Sequence, residues 1–468
     1  MFKTVLIANR GEIACRVERT LKRLGIRSVA VYSDADAGTP HVEGADEAVR
    51  IGPAPVKESY LQIDAIIEAA KRTGAEAIHP GYGLLSEKAE FARRVREAGI
   101  VFIGPTEAAL DAFGDKIKAR AVARRAGVSP PPGSDGPVSP GDAELLAKEA
   151  ERIGFPILVK AAGGGGGIGM QIVESADKLA RAAQACSDRG KSAFADERIY
   201  MERYVRSPRH IEVQVLCDQH GNAVALGERE CSLQRRHQKI VEEAPSPASF
   251  FAGPEGEERR ARLLADAVRI VKEVDYQGAG TVEFVASPAG ELFFLEVNAR
   301  LQVEHCVTEM VTGIDLVEQQ LRVAAGERLE APVLSPTRTG HSIEARVYAE
   351  DPAKKFAPQP GHIKTLRWPD ATNELRIETG VKEGGDVTPF YDPMIAKVVA
   401  FGATRAEAIA RLDVALGATT LELVGPTGNP AGTNVDYLRK VLRSPEFESG
   451  TYDTSFAEAF LKRASEAK

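Results

Sequence analysis

A short segment of the chain carries a chemically distinct polar side chain at every second position. The five polar residues alternate with apolar or small ones, and they are Glu296, Asn298, Arg300, Gln302 and Glu304. Because side chains of an extended chain alternate between two faces, this spacing predicts that all five line one wall. Two carboxylates, two carboxamides and a guanidinium suit a divalent cation and an anionic substrate. The alternative interpretation is an exposed amphipathic strand.

A run of five glycines, from Gly163 to Gly167, is a second feature with chemical meaning. Glycines let the backbone approach a ligand closely, and successive free N–H groups form a nest for an anion. The run lacks the Gly-Lys-Ser/Thr ending of a P-loop, and Lys160 precedes it. A cation at that position can pair with phosphate oxygens. The segment therefore predicts a mobile hairpin lid over nucleotide phosphates, with a flexible surface hairpin as the alternative.

Composition limits the class of protein. A chain of 468 residues is expected to form roughly two to four domains. The net charge of -7 argues against nucleic-acid binding, and no apolar run reaches the roughly 18–20 residues of a membrane span. Five scattered cysteines without a Cys-x-x-Cys pair indicate reduced thiols, and the start reads as a strand rather than a cationic leader. We therefore expect a soluble, cytoplasmic protein.

Strands and helices alternate over the N-terminal part of the chain. The hydrophobic pattern predicts strands at 5–8, 28–32, 76–79 and 100–103, and helices at 12–24, 63–73 and 87–98. This alternation is typical of βαβ units that build a parallel sheet. The first turn, Ala8-Asn9-Arg10-Gly11, lacks the Gly-x-Gly-x-x-Gly fingerprint, which argues against a dinucleotide site.

The remaining sequence predicts a mixture of helices and strands. A proline-rich stretch at 129–140 marks a boundary or a stiff connection. Beyond it the pattern predicts strands at 156–160, 170–173, 211–216, 223–227, 281–286 and 292–297, and helices at 143–153 and 259–274. Residues 341–356 and 363–399 are mixed and mostly β in pattern, and they are followed by a predicted helix at 405–417. The predicted fold class is therefore α/β together with α+β.

Several longer motifs resemble the biotin carboxylases of the ATP-grasp superfamily. Besides the glycine run and residues 296–304, they are residues 7–14, 79–83, 231–239 and 391–394. The similarity extends from residue 1 to about 440. It implies a Rossmann-like N-terminal domain at 1–114 and an ATP-grasp domain at 115–330, whose lid spans about 131–204. A mixed, β-rich C-terminal domain would follow at 331–468.

The resemblance also implies a reaction and its cofactors. ATP would phosphorylate bicarbonate to carboxyphosphate, whose CO2 would carboxylate N1′ of biotin, with Mg²⁺ or Mn²⁺ bound at two sites. The implied metal ligands, which offer hard oxygen atoms, are Glu283, Glu296 and Asn298. The residues implied to bind ATP are Lys116, Lys160, Gly164, Gly165, Gly166, Gly167, Glu202, Arg203, Val205, His210, Gln234, His237, Glu283 and Glu296.

By the same resemblance, bicarbonate and biotin would meet at Lys239, Arg300, Gln302, Val303, Glu304 and Arg346. Glu304 is the expected general base, because bicarbonate is a weak nucleophile until it loses its proton. Arg300 would grip the anion with two N–H groups, and Arg346 would stabilise the biotin enolate. The implied catalytic residues are Lys239, Arg300, Glu304 and Arg346. The alternatives are a surface salt bridge for Arg346 and a solvated polar turn for Lys239 and His237.

A few positions depart from the family pattern. Ile168 stands where many acetyl-CoA-type members have arginine, and Ala299 and Cys306 replace the commoner threonine and proline. Residues 424–430 look like an extra loop. Ile168 and the sequences of residues 1–8 and 226–231 resemble the urea-carboxylase branch more than the other branches. None of these positions carries an expected catalytic role, so we expect activity to be retained.

The expected partners follow from the resemblance and from one missing motif. No methionine is followed by lysine, so the biotin is expected on a separate carrier protein, with carboxyltransferase subunits and a homodimer as further partners. The final acceptor stays open among acetyl-CoA, propionyl-CoA, another acyl-CoA and urea. Two other functions remain as alternatives: a non-catalytic ATP-binding regulatory subunit, and a different ATP-grasp carboxylate–amine ligase.

Overall fold

The N-terminal part of the chain folds around a parallel sheet of five strands. The structure is a computed structural model that describes residues 1–162, 169–235 and 238–466. The sheet has the order β3-β2-β1-β4-β5 and consists of β1 (Thr4–Ile7), β2 (Arg27–Ser33), β3 (Glu47–Gly52), β4 (Ala77–His79) and β5 (Val101–Phe102). The predicted parallel sheet is confirmed, but the sequence prediction missed the edge strand β3.

Five helices cover this sheet. They are α1 (Gly11–Arg23), α2 (Pro40–Gly44), α3 (Ile63–Thr73), α4 (Ala89–Glu97) and α5 (Glu107–Gly114). In α1 the apolar residues Ile13, Val17 and Leu21 recur every four positions and share one core cluster with Val5 and Ile7 of β1. This packing fixes the start of α1, and with it Glu12, close to the loop that follows β4.

A small antiparallel sheet of three strands forms the next unit. Its order is β7-β6-β8, from β6 (Ile157–Ala161), β7 (Met170–Val173) and β8 (Ile199–Arg203). The helices around it are α6 (Lys116–Arg125), α7 (Ala143–Ile153) and α8 (Leu179–Phe194). The pairing of β6 with β7 confirms the predicted strands on either side of the glycine run. Gly164–Gly167 and Ile168 themselves lie outside the described residues, so the lid remains a prediction.

An eight-stranded antiparallel sheet forms the centre of the molecule. Its order is β13-β12-β9-β10-β11-β14-β20-β18. The strands are β9 (Arg209–Cys217), β10 (Ala223–Arg235), β11 (Gln238–Ala244), β12 (Gly278–Ala286), β13 (Leu292–Asn298), β14 (His341–Tyr348), β18 (Leu375–Thr379) and β20 (Met394–Gly402). Because β11 pairs with β14, the sheet is continuous across the domain boundary predicted at residue 330.

Short strands and helices complete the fold. The helices are α9 (Gly253–Lys272), α10 (His305–Thr312), α11 (Leu316–Ala324), α12 (Ala331–Leu334), α13 (Arg405–Ala418), α14 (Val435–Leu442), α15 (Pro445–Glu448) and α16 (Phe456–Glu466). The short strands are β15 (Glu350–Asp351), β16 (Ala357–Pro358), β17 (Gly361–Arg367), β19 (Asp386–Val387), β21 (Thr420–Val424) and β22 (Pro430–Ala431). The predicted α/β and α+β fold class is confirmed.

Two further observations bear on the expected cellular setting. All five cysteines are free, in agreement with the reduced thiols predicted from the sequence. In the part of the chain that the structure describes, every helix is too short or too polar to cross a membrane. Cytoplasmic localisation stays a prediction.

Candidate active site

The segment with alternating polar residues is not one continuous strand. Strand β13 ends at Asn298, and Glu304 lies directly before α10 with φ -80° and ψ 12°, which is not an extended conformation. Beyond Asn298 the backbone leaves the sheet, and the N–H group of Ala299 donates to Glu87 Oε1 at 3.0 Å. The expectation of a single extended wall from Glu296 to Glu304 is therefore wrong for its second half.

The five polar side chains nevertheless line one cavity of about 960 Å³. The cavity lies between the β6–β8 unit, one face of the central sheet from β13 to β14, and the loop after β4. It is lined by every predicted site residue that the structure describes: Lys116, Lys160, Glu202, Arg203, Val205, His210, Gln234, Lys239, Glu283, Glu296, Asn298, Arg300, Gln302, Val303, Glu304 and Arg346. The other predicted residues, Gly164–Gly167 and His237, lie outside the described part of the chain.

Lys239 on β11 joins the two ends of this cavity. Its Nζ atom donates hydrogen bonds to Glu212 Oε2 at 2.5 Å, to Glu304 Oε1 at 2.6 Å and to Glu283 Oε1 at 3.0 Å. Burial alone would lower the pKa of Lys239, but the three carboxylates raise it well above its usual range. The side chain is therefore a permanent cation at the centre of the site, and the predicted alternative of a solvated turn does not apply.

Glu304 is held as a buried carboxylate between two cations. Its Oε2 atom accepts a hydrogen bond from Arg346 at 2.9 Å, opposite the bond from Lys239 to Oε1. Burial would raise the pKa of Glu304, but Lys239, Arg346 and Arg229 bring it well below its usual range. The side chain is therefore deprotonated, which is the state that the predicted role of general base requires.

Arg346 on β14 is buried rather than part of a surface salt bridge. Its guanidinium lies between Glu304 and Glu242, with one nitrogen 2.6 Å from Glu242 Oε1. Burial raises the pKa of Glu242 to about 7, against the opposing effect of Arg346. Arg346 Nε is buried without a hydrogen-bond partner among the described residues, so this side chain retains a donor for a further ligand.

Two lysines at the other end of the cavity pair with carboxylates. Lys116 contacts Glu296, and Lys160 contacts Glu202. Glu202 also accepts a hydrogen bond from Arg120 at 2.8 Å, so it is held on both sides. Burial lowers the pKa of Lys160, and the negative charge of Glu202 partly offsets this effect. A polyphosphate that displaced these carboxylates could pair its oxygens with the two ammonium groups.

The proposed metal ligands fit a hard divalent cation. Glu283 on β12 and Glu296 on β13 are direct cross-strand partners, and Asn298 follows two positions later on the same face. Together they present carboxylate and carboxamide oxygens, which Mg²⁺ prefers over nitrogen or sulfur. His210 Nε2 lies 3.1 Å from Glu283 Oε2, and the carboxylate raises the pKa of His210 against the lowering effect of burial.

Arg300 has more partners than the sequence indicated. Its Nε donates to Glu87 Oε2 at 2.9 Å, and its two terminal nitrogens donate to Gln302 Oε1 and Asn298 Oδ1, both at 3.0 Å. The expected two-pronged grip on bicarbonate therefore requires these N–H groups to change partners. Glu87 was not predicted, and its position outside any polar pattern gave no signal.

Sequence and structure comparisons identify the family. The chain matches the biotin carboxylase N-terminal domain at residues 1–110, the carbamoyl-phosphate synthase L chain ATP binding domain at 115–332, and the biotin carboxylase C-terminal domain at 344–459. A biotin carboxylase of Halalkalibacterium halodurans is 48% identical, over 99% of this chain and 98% of its own length. The chain belongs to the biotin carboxylase family. The predicted enzyme class, an ATP-dependent ligase, is confirmed by this membership.

A solved biotin carboxylase structure matches along the whole length. The biotin carboxylase domain dimer of Hydrogenobacter thermophilus 2-oxoglutarate carboxylase was solved with MgADP, ADP and bicarbonate. It is 42% identical, covers 98% of each chain and superimposes with a TM-score of 0.91. The cavity of about 960 Å³ therefore belongs to a fold that binds these three ligands in a relative.

The predicted lean toward urea carboxylases is not supported. The propionyl-CoA carboxylase alpha chain of Ruegeria pomeroyi is 45% identical, over 97% of this chain and 68% of its own length. That relative is named for an acyl-CoA substrate rather than for urea. Ile168, on which the lean partly rested, lies outside the described residues, and Cys306 is buried in α10 away from the polar wall of the biotin carboxylase cavity.

A second cavity, of about 410 Å³, adjoins the first. The two cavities adjoin each other at the residues that line both: Tyr82, Gly83, Gln238, Val303 and Arg346. The second cavity is also lined by apolar groups, including the half-exposed Phe390. It provides a separate approach to Arg346 that does not pass the lysines of the first cavity.

Proposed function

We propose that the chain carboxylates biotin at the expense of ATP, with bicarbonate as the carbon source, in the cavity of about 960 Å³. The observation that carries this proposal is the position of Lys239. One largely buried ammonium contacts Glu283, which belongs to the predicted metal-binding face, and Glu304, which also contacts Arg346. Reacting groups held between these two ends would be within reach of each other, which is the main requirement of phosphoryl transfer.

The nucleotide would occupy the end of the cavity with Lys116 and Lys160. These lysines would exchange their present carboxylate partners for phosphate oxygens, and Glu202 and Arg203 of β8 with Val205 would face the adenine. Glu283, Glu296 and Asn298 would hold Mg²⁺, which when bound neutralises charge on the phosphates. The use of Mn²⁺ and the contacts of Gln234, His237 and Gly164–Gly167 stay predictions.

Bicarbonate would bind between Arg300, Gln302, Lys239 and the backbone of Val303. In the first step Glu304 accepts the proton of bicarbonate, an oxygen of bicarbonate attacks the γ-phosphorus, and the bond from that phosphorus to ADP breaks. Attraction of the anion to Lys239 weakens the hold of that ammonium on Glu304. The carboxylate then becomes more basic at the moment when it must accept a proton.

Biotin would reach Arg346 through the second cavity. Cleavage of the C–O bond of carboxyphosphate gives CO2 and a phosphate trianion, which is a stronger base than the carboxylate of Glu304. The phosphate removes the proton from N1′, and N1′ attacks CO2 to form the new N–C bond. Negative charge develops on the ureido oxygen, where the buried guanidinium of Arg346 can stabilise it.

The partners and the acceptor follow from the relatives. We propose that a carrier protein brings the biotin, that a carboxyltransferase passes the carboxyl group to an acyl-CoA, and that two copies of the chain form a dimer. The name of the Ruegeria relative supports the acyl-CoA, and the dimeric Hydrogenobacter domain supports the dimer. Light scattering of the purified chain at micromolar concentration should give twice the mass of one chain; a single-chain mass would refute the dimer.

The test of the proposed function is release of phosphate from Mg-ATP by the purified chain. We expect release to require bicarbonate and to rise when free biotin is added, because biotin consumes the CO2 that is released with phosphate when carboxyphosphate breaks down. Omitting bicarbonate from degassed buffer provides the control. ATP binding without bicarbonate-dependent release would overturn the proposal and favour a regulatory subunit. Phosphate release that requires bicarbonate but does not rise when biotin is added would favour another ATP-grasp ligase.

A further inference from the structure

Lys397 on β20 is a charged residue with no place in the chemistry above, yet it is fully buried. Its Cα pairs with that of Arg346 on β14 and with that of Glu378 on β18, so it lies inside the central sheet beside the biotin-binding end. Taking an ammonium out of water is unfavourable unless specific partners compensate. The partners of Lys397 therefore indicate what this side chain does.

Those partners come from two distant parts of the chain. Lys397 Nζ donates a hydrogen bond to the carbonyl oxygen of Val303 at 2.7 Å and lies 3.2 Å from Glu12 Oε1. Glu12 is in α1, and the same Oε1 atom accepts a hydrogen bond from the hydroxyl of Tyr82, which follows β4. A single ammonium thus connects the loop after β13 with the N-terminal domain.

The bond to Val303 acts directly on Glu304. A peptide unit is planar, so fixing the carbonyl oxygen of Val303 fixes the plane that ends at the Cα atom of Glu304. Residues 299–303 have left the sheet and are not held by strand pairing. The orientation of the Glu304 side chain therefore depends on contacts such as this one.

The contact to Glu12 links Lys397 to Tyr82, a residue in the wall of both cavities. Tyr82 lines the first and the second cavity, and the Glu12 carboxylate holds its hydroxyl. The ring of Tyr82 is also 6.0 Å from Lys397 Nζ, within range of a cation–π interaction. Displacement of Lys397 would thus remove a contact that positions Glu304 and a contact that positions Tyr82 in the second cavity.

We propose that Lys397 is a positioning residue for carboxylation: its ammonium orients the Val303–Glu304 peptide and couples it, through Glu12, to Tyr82. The proposal rests on the proposed function, in which Glu304 is the base. It assigns Lys397 no contact with substrate. It predicts instead that loss of the ammonium misplaces Glu304 while leaving the nucleotide end of the cavity intact.

The test compares two variants with the wild-type chain. Lys397→Met keeps most of the length of the unbranched side chain but leaves the Glu12 carboxylate without its cation, so the fold should also be weakened. Glu12→Gln combined with Lys397→Met removes both charges and should recover a large part of the lost midpoint of thermal unfolding, since Glu378, the other carboxylate beside Lys397 on β18, keeps Arg19 and Arg376 as partners. The control is Lys382→Met, since Lys382 is an exposed lysine that pairs with Glu43 near the same domain junction.

We expect kcat/KM for bicarbonate to fall roughly 10- to 100-fold in both Lys397 variants, because a small misplacement of a reacting group lowers the rate by about this factor. Their KM for ATP should stay within about twofold of wild type, since the nucleotide end of the cavity is unchanged. Recovery of kcat/KM together with stability in the double variant would show a merely structural role and overturn the proposal. An equal change in the KM for ATP would overturn it too. Phosphate release by the wild type reports separately on the proposed function.

Discussion

Replacing Glu304 with glutamine is expected to reduce bicarbonate-dependent phosphate release by roughly 10²- to 10⁴-fold, the usual contribution of a general base. Glutamine has nearly the same shape but cannot accept the proton of bicarbonate. The fold should survive, because Lys239 keeps Glu212 and Glu283 as partners and Arg346 keeps Glu242. The measurement is phosphate release from Mg-ATP with bicarbonate, with and without biotin.

The matched control for this variant is Glu291→Gln. Glu291 is an exposed glutamate in the turn between β12 and β13, so the same substitution is made in the neighbouring hairpin but outside the cavity. It should retain wild-type activity. If Glu304→Gln reduced phosphate release by no more than about threefold, the reduction would be far smaller than that expected for loss of a general base. Glu304 would then not be the base.

Arg346→Lys is expected to separate the two steps of the reaction. Lysine keeps a positive charge beside Glu242 and Glu304, so the buried carboxylates remain compensated, but it lacks the planar fork of arginine. Carboxylation of biotin should fall roughly 10²-fold, as is typical when one donor to a developing oxyanion is lost. Phosphate release without biotin should change little, since carboxyphosphate forms before biotin reacts.

Incorporation of labelled bicarbonate into biotin measures the second step directly. Arg338→Lys provides the control, because Arg338 is exposed and pairs with Glu228 outside the cavity. If the Arg346→Lys variant carboxylated biotin at the wild-type rate, the role of Arg346 would not be to stabilise the enolate. If phosphate release without biotin fell to the same extent as carboxylation, Arg346 would act in the first step instead.

The sequence predicted which residues line the site better than it predicted the backbone that carries them. The alternation from Glu296 to Glu304 indicated a common wall, and the side chains do share one cavity. A strand was the simplest way to produce that wall, but the chain turns after Asn298. Ala299 and Arg300 at this turn donate hydrogen bonds to Glu87, which is distant in the sequence, so no local pattern could reveal these contacts.

The residues that hold the site together were the hardest to predict. Glu212, Arg229, Glu242 and Lys397 are charged groups on strands, and each appears in the sequence as an ordinary polar position. Their importance comes from burial and from partners in other strands, as when Arg229 contacts Glu212 across β9 and β10. A weak signal existed at His210, Glu212 and Gln214, where polar residues alternate through an otherwise apolar strand.

The edge strand β3 shows the same limit for the fold. Its sequence, Glu47 to Gly52, mixes charged and apolar residues without the continuous apolar run of a central parallel strand. Only pairing with β2 makes it a strand. By contrast, the helix predicted at 63–73 agrees with α3, because its apolar spacing is regular and Gly74 ends it in the left-handed conformation.

The most direct test of carboxyphosphate formation is to follow oxygen from bicarbonate into phosphate. The chain would be supplied with Mg-ATP and freshly dissolved [¹⁸O]bicarbonate in unlabelled water, and the released phosphate would be analysed by mass spectrometry before the label exchanges. We expect one ¹⁸O atom in each phosphate, since a bicarbonate oxygen attacks the γ-phosphorus and stays there when CO2 leaves. Phosphate without label would mean that water attacks ATP, and would contradict a carboxyphosphate intermediate in this cavity.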